Sequence, residues 1–393
     1  MMIIRADLHI HSKYARATSK YSDLEHFTNA MDEKGIELLA TGDFTHPNWI
    51  KELKEKTEER DGLLIFDNHY FILSVEVNNV FENHRIHNVI LCNSIETAYQ
   101  INDYLSKYGN LKEDGRPTIH LKPSEMLENL KQISKKVEIF PAHIWTPWFS
   151  LFGSKSGVNK IEEAFEDKSN EILALETGLS SDPNMNYLFS DSSKYTLISN
   201  SDAHSPKNIG REANVLDIPT ISYDNVIHAI KTRSGFVKTY EFFPQEGKYY
   251  FDGHRKCNVR FSPEQAILHN NICPVCKKKL TLGVLHRIYE LKDEPKIEEK
   301  QVFSYIIPLR KLIAKMLNKR EENKHVEETY YRVINYFGSE LNVFESELNK
   351  IKQFIPELYP YIASIKKNEI IWKEGYDGVY GDFSLKQQTI LDY

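Results

Sequence analysis

The feature that most constrains the fold of this chain is a regular alternation of apolar runs and amphipathic segments over the first 240 residues. The runs have strand length, whereas the segments between them, such as 24–34 and 124–135, carry apolar residues at helical spacing. Strands that alternate with helices predict an α/β fold with a parallel sheet, open or closed into a barrel. The apolar runs are 3–10, 36–41, 70–77, 137–144, 172–176 and 195–200.

The chain has 393 residues, which is more than one ordinary domain requires. We expect three parts: a first domain over 1–242, a small module over 243–293 that is rich in Cys, His and Lys, and a mainly helical region over 294–393. Apolar residues make up 41% and charged residues 27%, which is typical of a folded chain. No apolar run is long enough to cross a bilayer and no targeting segment is visible, so we expect a cytoplasmic protein without membrane contact.

His, Asp and Glu residues stand at the carboxyl ends of five predicted strands, where barrels carry their active sites. In an alternating strand, His9 and His11 point to one face, where two imidazoles can bind one ion. A lone His is more often a core residue, but buried charges without partners cost several kcal/mol, so five such strand ends favour a metal site. The candidate ligands are His9, His11, Asp43, His46, Glu76, His143, Asp202 and His204.

These motifs, in this order, resemble the polymerase-and-histidinol-phosphatase (PHP) family, which has an H-x-H first strand, a bridging Glu, a lone His and a late D-x-H. The resemblance covers about 240 residues and implies a distorted (β/α) barrel that holds up to three divalent ions, Zn, Mg or Mn. Such ions activate water against a phosphoryl group, so no protein nucleophile is required. Carried over by position, His9, His11, Glu76 and Asp202 hold the first ion, Glu76 and His143 the second, and His204 belongs to a third.

The stretch 41–46 corresponds to the second motif of this family, which is T-D-H-like, but it departs from the family because Phe44 stands where a His is usual. The sequence therefore leaves undecided whether a third metal site exists. Asp43 or His46 is the candidate to replace the missing His as its ligand. Arg211 follows the D-x-H motif, and its guanidinium either steadies a phosphate oxygen or forms a surface salt bridge. The residues expected to take part in catalysis are Asp202, Glu76, His143 and Arg211.

Two short knuckles in the second part have the spacing of a structural zinc site, with 15 residues between them. Three of the four cysteines of the chain lie in these knuckles, which favours a metal site over a disulfide framework. His269 and His286 are alternative fourth ligands, but the spacing of His254 mirrors the other knuckle. The predicted ligands of one structural Zn are His254, Cys257, Cys273 and Cys276.

Further motifs resemble DNA repair endonucleases within the PHP family, and they lie at 141–149, 176–183, 209–214, 282–287 and 375–381. This resemblance implies damaged DNA as the partner. It also implies hydrolysis of the phosphodiester 5′ to a deaminated base (uracil, hypoxanthine or xanthine) or an abasic site, which leaves a 3′-hydroxyl and a 5′-phosphate.

Aromatic residues directly after His143 are placed either to line a pocket for an extruded base or to pack at the barrel mouth. The polar loops 114–117 and 153–157 are candidates for phosphate contacts, with solvated turns as the alternative. The residues expected at the base pocket or on DNA are Trp145, Trp148, Phe149, Phe152, Lys155, Ser180 and Arg116.

The last seven residues resemble a sliding-clamp-binding peptide with Gln387, Ile390 and Tyr393 as its anchors. Two other functions compete with the repair endonuclease. A small-molecule phosphatase, for example one that acts on histidinol phosphate, uses the same chemistry but gives no role to the zinc module. The other is a non-catalytic DNA or clamp adaptor whose barrel has lost its activity, and only the missing His of the second motif favours it.

Overall fold

We analysed a computed structural model, which describes residues 1–297 and 299–386. Within these residues the largest sheet has eleven strands, and three further pairs of strands lie outside it. The strands are β1 (Met2–Asp7), β2 (Leu38–Ala40), β3 (Glu58–Arg60), β4 (Leu63–Phe66), β5 (His69–Phe81), β6 (His84–Cys92), β7 (Thr118–Ile119), β8 (Glu138–Pro141), β9 (Leu175–Glu176), β10 (Leu197–Ile198), β11 (Ala213–Ile218), β12 (Phe236–Phe242), β13 (Asp252–His254), β14 (Val259–Phe261), β15 (Phe303–Ile306), β16 (Ile370–Lys373) and β17 (Asp382–Leu385).

Helices lie between many strands of the first part of the chain, although β3 to β6 follow one another without a helix, and helices dominate after β15. The first helix has the bounds that its sequence pattern predicts, because the Asp23 side chain caps its amino end and Gly35 ends it with φ 80°. The helices are α1 (Leu24–Lys34), α2 (Pro47–Lys56), α3 (Ile95–Leu105), α4 (Pro123–Ile133), α5 (Ile161–Phe165), α6 (Pro183–Asn186), α7 (Ser190–Ser193), α8 (Tyr223–Thr232), α9 (Pro263–Leu268), α10 (Val284–Leu291), α11 (Leu309–Leu317), α12 (Lys324–Phe337), α13 (Glu340–Glu345), α14 (Leu348–Phe354) and α15 (Tyr359–Lys366).

The main sheet is mixed, so the expectation of a parallel sheet is only partly correct. Its strand order is β15-β12-β11-β1-β2-β5-β4-β3, with β6 and β7 also paired to β5 and β8 paired to β6. The pairs β1–β2, β2–β5 and β12–β15 are parallel, whereas β1–β11, β5–β6 and β6–β8 are antiparallel.

Isolated hydrogen bonds connect β8 with the strands that follow it. The backbone N–H of Leu173 donates to Ile139 in β8, and β9 pairs with β10. The Asn214 side chain of β11 then binds both the N–H and the carbonyl of Ser199, which follows β10. The strands β1, β2, β5, β6, β8, β9, β10 and β11 thus follow one another through hydrogen bonds.

The C-terminal region is joined to this sheet and to its helices. Strand β15 adds to β12 in parallel, and a buried ion pair of 2.6 Å connects Lys34 of α1 with Glu340 of α13. The Glu340 carboxylate also accepts a hydrogen bond from the hydroxyl of Tyr330. No helix among the described residues is long and apolar enough to cross a membrane.

Candidate metal centre

Four predicted ligands meet at one point beside the carboxyl end of β1. Nε2 of His11 lies 3.2 Å from Oε2 of Glu76 and 3.2 Å from Oδ1 of Asp202. Nε2 of His9 lies 3.7 Å from Oε1 of Glu76 and 3.7 Å from the same Asp202 oxygen. We refer to His9, His11, Glu76 and Asp202 as the first cluster.

A second cluster shares the carboxylate of Glu76 with the first. Oε1 of Glu76 lies 2.7 Å from Nδ1 of His87 and 3.0 Å from Nε2 of His143, and the two imidazole nitrogens are 3.3 Å apart. His87 lies within β6, and the sequence analysis did not select it. Glu76 therefore stands between two sets of ligand atoms, as expected for a bridging carboxylate.

The donor atoms of the first cluster suit a divalent cation. Nε2 of His9, Nε2 of His11 and Oδ1 of Asp202 are buried and have no hydrogen-bond partner among the described residues. Buried polar atoms almost always have partners, so three unpartnered atoms that converge on one point fit a bound ion. Imidazole and carboxylate donors are the ligands that Zn and similar divalent metals accept.

The backbone at the site is held in an uncommon conformation. Asp43, His143 and Asp202 have positive φ values of 52°, 31° and 46°. Such conformations cost free energy in residues other than glycine and concentrate at functional sites. The ring of His143 contacts Glu76, with Nε2 3.0 Å from Oε1.

Charge complementarity dominates the electrostatics of the two clusters. Burial alone would lower the pKa of His9, but the carboxylates of Glu176 and Glu76 hold it well above its ordinary value. Burial opposes ionisation of Glu76, yet the charges of His9 and Arg116 and the hydrogen bond to His11 hold the pKa of its carboxyl group well below the usual range. Burial lowers the pKa of His87 to about 4, so this imidazole is neutral at physiological pH.

Two carboxylates orient the imidazoles from behind. Glu176 contacts Nδ1 of His9 at 3.1 Å and accepts hydrogen bonds from the backbone N–H of His143 at 2.7 Å and the amide of Asn200 at 2.8 Å. Asp43 lies 2.9 Å from Nδ1 of His11. Contacts of this kind leave Nε2 of each ring free to bind a metal. Glu176 ends the predicted strand 172–176, as the selected ligands end theirs, but the sequence analysis did not select it.

The residues proposed from sequence for a third site are not gathered around one point. Asp43 lies behind His11 and accepts hydrogen bonds from Ser12, so it orients a ligand rather than joining a cluster. His46 stacks on Tyr14 with ring centres 4.5 Å apart, outside both clusters. His204 lies closer, with Nδ1 3.5 Å from Oδ1 of Asp202.

Arg211 and Arg116, the two arginines selected from the sequence, have different contacts. The Arg211 guanidinium binds the carbonyls of Ser201 and Asp202 at 2.9 and 3.4 Å, so it fixes the loop that carries a ligand. Arg211 forms no salt bridge among the described residues, so the first alternative, contact with a phosphate oxygen, stays a prediction. Arg116 lies 3.3 Å from Oε2 of Glu76, and 26% of its side chain is exposed, so its guanidinium reaches both the first cluster and the solvent.

The aromatic residues after His143 divide into core and surface. Trp145 and Phe152 are fully buried, and the Trp145 indole N–H donates to Asn186, so the expectation that these two line a base pocket is corrected. Phe149 stacks on His87 with ring centres 5.1 Å apart, and Trp148 is 40% exposed. Two residues predicted to contact DNA, Lys155 and Ser180, are exposed and half-buried, respectively.

The knuckles of the second part form a separate cluster of ligand atoms. Sγ of Cys276 lies 3.5 Å from Nδ1 of His254, and these atoms lie within 4.8 Å of the thiols of Cys257 and Cys273. Neither alternative histidine belongs to it, since His269 stacks on Phe261 and His286 binds Asp252 at 2.6 Å. The geometry thus selects His254. A small core of Val259, Ala266, Cys273 and Leu280 surrounds the thiols.

The matches to known sequences are with proteins of unknown activity. No family model matches the chain. Protein MJ0043 of Methanocaldococcus jannaschii, which is uncharacterized, is 30% identical over 260 residues, or 63% of this chain and 32% of that protein. This chain thus spans about a third of its length. The uncharacterized protein YqxK of Bacillus subtilis is 29% identical over 411 residues, or 97% of this chain and 99% of that protein.

A mixed α/β sheet that gathers imidazoles and carboxylates at one rim defines the general class, that of the metal-assisted hydrolases. The particular protein that this chain resembles from end to end is endonuclease Q. The crystal structure of the lesion-specific endonuclease PfuEndoQ from Pyrococcus furiosus matches with a TM-score of 0.91 and 28% identity, over 100% of this chain and 98% of that one. Endonuclease Q in complex with a 27-mer duplex that has an abasic lesion at the active site matches with a TM-score of 0.89 and 29% identity, over 98% of this chain and 97% of that one.

Proposed function

We propose that this chain is a metal-dependent DNA repair endonuclease that cuts DNA at damaged nucleotides. The observation that carries this proposal is the pair of ligand clusters joined by Glu76, in a chain with the fold of endonuclease Q. We further propose that the cut is 5′ to a deaminated base or an abasic site and leaves a 3′-hydroxyl and a 5′-phosphate.

In this proposal each cluster binds one metal ion. The first cluster, His9, His11, Glu76 and Asp202, would hold one divalent ion, and Glu76, His87 and His143 would hold a second. Bound there, two ions would lower the pKa of water and polarise the scissile phosphodiester.

Arg116 is the positive side chain best placed to contact the phosphate. Its guanidinium touches Glu76 and remains open to solvent, so it can exchange this contact for one with a phosphate oxygen. Phe149 stacks on His87 of the second cluster, and the preceding residue, Trp148, is exposed. We propose that these two aromatic side chains contact the nucleotide that leaves the base stack.

We propose that the zinc module takes one structural Zn through His254, Cys257, Cys273 and Cys276. Its own core has only four buried residues, and a core of this size requires a metal or a disulfide for stability. We also interpret the hydrogen-bonded succession of β1, β2, β5, β6, β8, β9, β10 and β11 as a distorted barrel of the PHP type.

The test uses a labelled duplex with a single uracil, hypoxanthine or abasic site, incubated with the protein and Mg²⁺, Mn²⁺ or Zn²⁺. We expect one cut 5′ to the lesion, none in the undamaged duplex, and loss of cutting in Asp202→Ala. The control Asp167→Ala removes an exposed carboxylate and should cut as the wild type does. Hydrolysis of histidinol phosphate without DNA cutting would instead favour a small-molecule phosphatase, and the absence of both activities an adaptor.

We also propose that this activity takes place in the cytoplasm, a proposal that rests on DNA as the substrate. The predicted clamp-binding anchors Gln387, Ile390 and Tyr393 lie outside the described residues. A pull-down with a sliding clamp tests them. Deletion of 387–393 should abolish capture, and capture that persists would exclude this tail as the clamp-binding segment.

A further inference from the structure

A large basic cavity lies at the end of the strands opposite to the metal centre. Its walls come from residues that precede β8, β9 and β10, including Lys135, Leu173 and Thr196. The candidate ligands His143 and Asp202, by contrast, follow the carboxyl ends of β8 and β10. The cavity has a volume of about 1110 Å³, which is ample for a small molecule.

Positive side chains predominate in this cavity. Among the described residues, two carboxylates, Glu171 and Glu299, also line it, and Glu171 lies 3.6 Å from the ammonium group of Lys168. Lys194 already lies 3.2 Å from Asp191 and 3.4 Å from Glu162, whereas Lys135 and Arg233 have no carboxylate partner among the described residues. Part of the positive charge of the cavity walls is therefore uncompensated, although the whole chain has a formal net charge of -6. The cationic residues are Lys131, Lys135, Lys194, Lys231, Arg233 and Lys296.

Two of these lysines share one buried carboxylate. Glu138 is 2% exposed, and its oxygens lie 3.1 Å from Nζ of Lys131 and 2.6 Å from Nζ of Lys231. One negative charge cannot neutralise two ammonium groups. Burial, together with the charge of Lys231, lowers the pKa of Lys131 despite the attraction of Glu138. This part of the cavity therefore favours an additional anion.

We propose that the cavity binds a small molecule with several phosphate groups, such as a nucleoside triphosphate or inorganic tripolyphosphate. The cations belong to separate elements: Lys131 lies in α4, Lys194 follows α7, and Lys231 lies in α8. A single phosphate would contact only part of this set, whereas a chain of phosphates can reach several ammonium groups at once. The site is independent of the proposed nuclease activity, because it lies at the opposite end of the strands.

Calorimetric titration of the intact protein with tripolyphosphate, ATP and inorganic phosphate tests this proposal. The cavity variant Lys135→Glu/Lys194→Glu changes two exposed residues of the cavity wall. The control variant Lys51→Glu/Lys136→Glu makes the same change of net charge at exposed lysines outside the cavity. Thermal melting verifies that each variant is folded, and Lys135→Ala/Lys194→Ala provides a milder change.

We expect one polyphosphate per chain, with ATP and tripolyphosphate bound more tightly than inorganic phosphate. The cavity variant should bind at least tenfold more weakly, the alanine variant less so, and the control variant within twofold of the wild type. Asp202→Ala should bind normally, since the metal centre is not involved. Equal weakening in both charge variants, loss of binding in Asp202→Ala, or binding of oligonucleotides alone would each overturn the proposal.

Discussion

Replacement of Glu176 by Gln tests whether the carboxylate behind the ligands controls metal binding. The Glu176 carboxylate faces three donors: Nδ1 of His9 at 3.1 Å, the backbone N–H of His143 at 2.7 Å and the amide of Asn200 at 2.8 Å. A glutamine has the same shape, but it offers one acceptor oxygen and turns an NH₂ group towards donors. At least one charge-assisted hydrogen bond is therefore lost, which costs about 1.5–3 kcal/mol.

This loss should appear as weaker metal binding rather than as unfolding. A residue that orients a metal ligand typically contributes a factor of about 10–100 in metal affinity or activity. We expect the metal concentration for half-maximal DNA cutting to rise by such a factor in Glu176→Gln, with most of the cutting rate restored at saturating metal. Initial rates on a uracil-containing duplex across a metal titration measure this shift.

The matched control for this prediction is Glu162→Gln, which changes a half-exposed surface carboxylate. Far-UV circular dichroism verifies that both variants are folded. An unchanged metal requirement in Glu176→Gln would refute the argument that this carboxylate orients His9 and His143. A loss of cutting that saturating metal cannot restore would indicate a direct role in the reaction instead.

Three further predictions concern stability and zinc. Burial raises the pKa of Glu241 to about 8 in the folded chain, so unfolding releases its proton and stability should fall between pH 4.5 and 8, by up to about 1.4 kcal/mol per pH unit. Urea unfolding should give a flatter pH profile for Glu241→Gln, and an identical profile would contradict this assignment. Lys34→Met leaves Glu340 buried without its cation and should lower the free energy of unfolding by about 3–5 kcal/mol, whereas the same change at the exposed Lys324 should have little effect. Cys273→Ser should lose one Zn per chain by mass spectrometry, and retention of that Zn would argue against the proposed ligand set.

The sequence predicted those features whose signals are local. Helix α1 is an example, because Asp23, a face of Leu24, Phe27 and Met31, and Gly35 together define its two ends and its buried side. The first cluster was predicted as well, since His9, His11, Glu76 and Asp202 come from motifs with a fixed order.

The hairpin between β5 and β6 was not predicted, and the omission affected the site. Its turn is formed by Glu82 and Asn83, with a positive φ of 48° at Glu82, and lacks the Asn-Gly or Asp-Gly signal of a tight turn. Since β6 was not predicted, His87 had no assigned place, although antiparallel pairing sets it opposite Asn78, two residues beyond Glu76. The omission of β6 also hid the antiparallel pairs β5–β6 and β6–β8. The antiparallel pairs β1–β11 and β11–β12 were missed because the sequence analysis did not list β11 as a strand.

The roles of Asp43, Trp145 and Phe152 depended on tertiary packing that no local pattern contains. Asp43 has the residue type of a ligand, but its position behind His11 is set by Ser12, which follows that histidine. Trp145 follows a ligand in sequence, yet its indole turns inward because Asn186 offers an acceptor. The type of a residue therefore limits which residues are candidates for the site. Tertiary packing decides which of their side chains face the metal centre.

The addition of β15 to β12 has a consequence for how the chain can be divided. A fragment that ends at residue 242 would retain all the candidate ligands of both clusters but would leave β12 as an uncovered edge, with free N–H and carbonyl groups available to other chains. The Lys34 ammonium group would also lose its partner, the Glu340 carboxylate. Such a truncated protein should self-associate, so the portion that contains the metal centre relies on residues beyond 300 for its solubility.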